Sequence, residues 1–189
     1  MQDIEKAPEN KDFISSLKEK ISKNLTDIES RDDLTTDEKV TQIIHIFSAT
    51  CAGAAVQPIP FADIFVLTTI QAYMAERIAA VRGIPMQKGS ALELITDLGK
   101  VIGLGMLAQQ AALGLYKVGL PFLAGFTTIP LVYGLTYSIG KVLDHLFIER
   151  TKGKKLSSEE IKNIWANAQK EGKSEGKKYR KKMKDEEKS

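Results

Sequence analysis

Apolar residues between positions 11 and 30 fall at Phe13, Ile14, Leu17, Ile21, Leu25 and Ile28, with charged residues between them. That spacing keeps to one face of a helix. It predicts an amphipathic helix that packs on a core or on a partner helix. Binding flat on a membrane is the alternative, and the acidic balance of this arm opposes it. Residues 31–34 break the pattern. A second stripe, Val40, Ile43, Ile44 and Phe47, follows Thr35, and Glu38 stands three residues after that threonine. A hydroxyl residue followed three on by a glutamate is the spacing of a capping box, so a helix is predicted from 36 to about 56.

Pro58 and Pro60 then interrupt the chain. Proline disfavours helical geometry in the residue before it, so Gln57 and Ile59 are expected to be extended. Proline also suits a first helical turn, and Pro60 is expected to open a helix running to about 82. Asp63 falls in the first turn of that helix, where a carboxylate meets the positive helix end. Gly83, Pro85 and Gly89 mark the next turn. Ser90 and Glu93 repeat the capping-box spacing.

Beyond that point the one-sided pattern is lost. Between Lys100 and Lys117 there are 16 uncharged residues, and between Lys117 and Lys141 there are 23. Glycines stud both runs, and Pro121 and Pro130 interrupt the second. Helices apolar on every side are expected here, paired as a hairpin. After Phe147 the chain turns polar. Ser157 and Glu160 give a third capping-box spacing, and Ile161, Ile164, Trp165 and Ala168 make a short apolar face. Beyond Gly172 a basic run follows, with Lys177, Lys178, Arg180, Lys181 and Lys182. The expected fold is all-α: a helical bundle with a central apolar, glycine-rich hairpin and charged arms. Its parts are an acidic amphipathic arm (1–34), an apolar helical core (35–148) and a basic C-terminal helix and tail (149–189).

Charge follows the same division. Residues 1–50 hold 7 basic and 11 acidic side chains, residues 51–148 hold 6 and 5, and residues 149–189 hold 14 and 8. The single cysteine, Cys51, excludes an internal disulfide and is expected to pack as a small apolar residue. His45 and His145, without cysteine partners or an HExxH spacing, give no metal signature. No phosphate-binding GxxxxGK[ST] loop and no GxSxG elbow is present. Neither an enzymatic reaction nor a cofactor is expected.

A segment able to span a bilayer needs about 20 apolar residues, and the charge-free run ending at Gly140 is long enough. One expectation is therefore that residues 92–147 enter the membrane as a hairpin. Its ends would lie on the cytoplasmic side, beside the basic tail, with Lys117 at the far turn. The alternative is a soluble bundle that buries these helices and binds lipid or protein through an apolar surface. In either case the basic run reads first as a solvated end; the alternative is attraction to an anionic lipid surface or an acidic partner, with Trp165 as an interfacial anchor on lipid. Against nucleic acid as the partner, Tyr179 alone is interleaved as a stacking residue.

"PIPFAD" at 58–63 with "TIQAYM" at 69–74, "LTYSIGKVLDHLF" at 135–147 and "AQKEGK" at 168–173 resemble the DUF697 family over about residues 36–182. EcsC-like helical proteins are a second likeness. Pro58, Pro60, Asp63 and Gln71 fall on the family's recurring motif. The resemblance implies a non-catalytic, membrane-linked bacterial helical module, associated with Era-like or dynamin-like GTPases. No GTPase domain is attached in this sequence, so a GTPase partner would act in trans. A scaffold of several copies is the other implied role.

Overall fold

The computed structural model describes residues 8–54, 63–87, 89–103 and 124–186, with backbone alone at 8–11, 63–65 and 124–128. All regular structure among them is helical. The helices are α1 (Pro8–Glu29), α2 (Thr36–Ala54), α3 (Asp63–Val81), α4 (Ser90–Ile102), α5 (Ala124–Thr151) and α6 (Ser158–Glu186).

Helix α5 forms the axis. Every residue from Val132 to Gly140 is buried, because α2, α3 and α6 all pack against it. A helix covered on all sides has to be apolar all round, and this is why its sequence reads like a membrane span. The expected transmembrane helix is not found here: no helix among the described residues is long and apolar enough to cross a membrane. Residues 104–123, which include Lys117 and Pro121, lie outside the described residues.

The two arms join the same core. Ile14, Leu17, Ile21 and Leu25 of α1 and Ile161 and Trp165 of α6 belong to one apolar cluster with Phe47, Ile70, Met74 and Phe147. Helix α1 rests on α2 and α3, and Arg77 of α3 ties it down through its guanidinium to both oxygens of Glu29.

Helix α6 makes the most extensive contact in the fold, along α5. Small residues permit it. A Cβ on Gly172 would lie 2.9 Å from Gly134 Cα, and one on Gly176 would lie 2.7 Å from Pro130 Cα. The backbones therefore touch where side chains would normally hold helices 8–10 Å apart. The sequence places a basic tail after Gly172; the structure has one helix of 29 residues that continues through both glycines to Glu186.

Local signals set most helix ends. At α2 the Thr35 N–H and hydroxyl both donate to Glu38 Oε2, at 2.8 and 2.7 Å, while the Glu38 N–H donates back to Thr35 Oγ1 at 3.2 Å. Ser157 and Glu160 repeat this geometry at α6. The box expected at Ser90 and Glu93 does not form. Gly89 is the N-cap of α4, without a side-chain cap bond, and Ser90 is already helical. At its φ of 91°, Gly89 turns its carbonyl to accept from the Leu92 and Glu93 N–H groups. Helices α3 and α5 end alike, at Gly83 and Gly153 in left-handed geometry, with the following N–H reaching back to Ala79 and Glu149.

Candidate functional site

The basic run of α6 is the first candidate, and helical geometry sorts its residues. Ile161, Trp165, Ala168, Gly172 and Gly176 are buried against the bundle. On one flank of this line, Lys170, Lys173, Lys177 and Lys181 follow at three- and four-residue steps with Arg180 among them. The four lysines are exposed and Arg180 is half-buried. Among the described residues no carboxylate pairs with any of the five. The opposite flank carries Glu171, Glu175, Lys178 and Lys182. There Lys178 Nζ donates to Glu175 Oε1 at 2.7 Å, and Lys182 Nζ lies 3.8 Å from Glu186 Oε1. The five basic residues expected to act together are thus divided: Lys177, Arg180 and Lys181 join Lys170 and Lys173, while Lys178 and Lys182 face away with acidic partners. Trp165 is 8% exposed and sits in the core. As placed, it has no surface with which to anchor in an interface.

The acidic flank of α6 meets α2 and α5 in a cluster that the sequence did not reveal. His45 Nδ1 and the Tyr133 hydroxyl are 2.6 Å apart. The His45 ring centroid is 5.4 Å from that of Tyr137, and the Tyr133 centroid is 5.5 Å from that of Tyr179. The Glu171 carboxylate lies on the Tyr137 side of this cluster. Burial holds the His45 imidazole below its ordinary pKa, against the opposing pull of Glu175 and Glu171. Burial also raises both phenols, with Glu175 adding to each and Glu171 to Tyr137. The partner of His45 is 88 residues away in sequence, so no local spacing could have announced it. His145 is exposed, with Nδ1 2.9 Å from the carbonyl of Lys141. Among the described residues no group of three metal-ligating side chains is assembled.

Of the motif residues, Pro58 and Pro60 lie outside the described residues, and so does the side chain of Asp63. The described part of α3 begins at Asp63. Gln71 is fully buried and joins α3 to α5, with Nε2 donating to Thr136 Oγ1 at 3.4 Å. Its Oε1 is buried with no protein partner. The Cys51 thiol, buried near Thr136, is pushed up to about 12 by burial, so it stays protonated. This makes Gln71 and Cys51 parts of a polar step inside the core, remote from solvent.

A family model described as a domain of unknown function, DUF697, matches residues 22–168. The match starts within α1, ahead of the likeness seen from about 36. It stops at Ala168, so the "AQKEGK" stretch after its first residue, and with it the basic flank of α6, lies beyond the match. No curated protein and no solved structure matches the chain. The family match covers most of the 189 residues, and the chain belongs to the DUF697 family.

Proposed function

We propose that this protein is a non-catalytic helical module that attaches to the face of a membrane through charge, using α6 against anionic lipid. The observation that carries the reading is the flank from Lys170 to Lys181, exposed lysines on a helix whose apolar side is already spent on α5. Basic groups near an anionic leaflet are attracted within a Debye length, and salt screens them. Because the apolar length of α5 is enclosed by three helices, the contact that α6 offers to lipid among the described residues is its basic flank. A protein partner, whether a GTPase acting in trans or a second copy of the chain, would then be recruited at the surface.

Co-sedimentation of the full chain with vesicles tests this. Binding is expected to vesicles rich in phosphatidylglycerol at low salt, with release as salt rises and none to phosphatidylcholine. Equal recovery with both lipids, or none with either, would contradict the reading.

A further inference from the structure

The geometry points to a lateral headgroup site on α6, made by Lys170, Lys173, Lys177, Arg180 and Lys181, that engages lipid phosphates while the helix stays docked on α5. It rests on the membrane-surface reading above and gives it an address and an orientation. The stripe is about 16 Å long at the helical rise of 1.5 Å per residue, enough to meet several phosphates in one plane. Three features single it out. Its lysines are exposed and without acidic partners among the described residues. Lys178 and Lys182, neighbours in sequence, are turned to the other flank beside Glu175 and Glu186. The helix cannot roll to mix the two flanks, because Gly172 and Gly176 sit in backbone contact with Gly134 and Pro130. Charge complementarity commits the site to an anionic lipid surface. A negative surface meeting the other flank would meet Glu171 and Glu175 as well.

Two charge-matched double variants of the full chain separate this site from a diffuse basic tail. Lys177→Gln with Lys181→Gln should weaken binding to phosphatidylglycerol vesicles by roughly 30-fold, the effect of two basic groups at a membrane. Lys178→Gln with Lys182→Gln removes the same charge and should change binding less than about threefold. All four side chains are exposed, so both variants should melt like the parent. Equal losses in the two variants would overturn the lateral site while leaving membrane binding intact. A parent that ignores anionic vesicles would overturn both. Tighter binding to a short duplex DNA than to vesicles at the same salt would assign the stripe to nucleic acid and reject the proposal.

Discussion

Gly176 and Pro130 stand in backbone contact across the α5–α6 crossing: a Cβ on Gly176 would lie 2.7 Å from the proline Cα and 3.0 Å from its carbonyl oxygen. Pro130 has no N–H to give the helix ladder, and α6 crosses at that point.

The contact sets the sign of a substitution. In a free helix, glycine to alanine stabilises by roughly 0.5–1 kcal/mol. Gly53 of α2 has nothing within 4 Å of its would-be Cβ, and Gly53→Ala should follow that rule. Gly176→Ala should instead cost about 1–3 kcal/mol, since backbone has to move to admit the methyl. Thermal melts that shift upward for Gly53→Ala and downward for Gly176→Ala are expected. An upward shift for Gly176→Ala would show that the helices do not touch there.

Arg82, just past the end of α3, joins the start of α2 to the body of α5. Its Nε donates to Asp144 Oδ1 at 2.8 Å, and Nη1 lies 2.6 Å from Asp37 Oδ1. The side chains of Arg82 and Asp144 are 10% and 12% exposed, whereas that of Asp37 is 80% exposed. Arg82→Leu should therefore cost on the order of 3–5 kcal/mol, because it leaves the Asp144 carboxylate buried without its cation. Asp37→Asn should cost under about 1 kcal/mol, as an exposed pair does. Urea unfolding of both variants measures the contrast, and equal costs would contradict it.

His45 links stability to pH. Burial lowers its pKa in the folded chain, so the unfolded chain takes up the proton first. The contribution of neutral His45 is present above the unfolded value of about 6.5 and is lost as pH falls through it toward the lower folded value. Groups facing the ring are Tyr133, Tyr137 and Lys141 from α5 and Glu171, Glu175 and Lys178 from α6. The urea midpoint should fall between pH 7.5 and 5.5 by more in the parent than in His45→Gln. An equal fall in both would place the pH dependence elsewhere.

What the sequence disclosed was local. Thr35 with Glu38 and Ser157 with Glu160 fix helix starts through hydrogen bonds three residues long, and both boxes form. Ser90 with Glu93 has the same letters and no box, because Gly89 before it takes a backbone angle that composition does not announce. The all-helical class was legible from periodicity. The setting of α5 was not, since a helix apolar on all sides reads alike in lipid and at the axis of a bundle. Gly172 and Gly176 stood in view four residues apart, but the lysines around them made the segment look like a solvated end. The pairing of His45 with Tyr133 depends on the fold alone.

Trp165, the single tryptophan of the chain, reports on the central claim. It lies in the core, 8% exposed, on the apolar face of the same helix that carries the basic stripe. Fluorescence of the full chain bound to phosphatidylglycerol vesicles containing lipids brominated on their acyl chains is the decisive measurement. If the bundle meets the membrane by charge with α6 docked, Trp165 emission stays unquenched and unshifted while the protein co-sediments with the vesicles. Strong quenching on binding would mean that α6 leaves α5 and inserts its apolar face into lipid, and it would contradict the account.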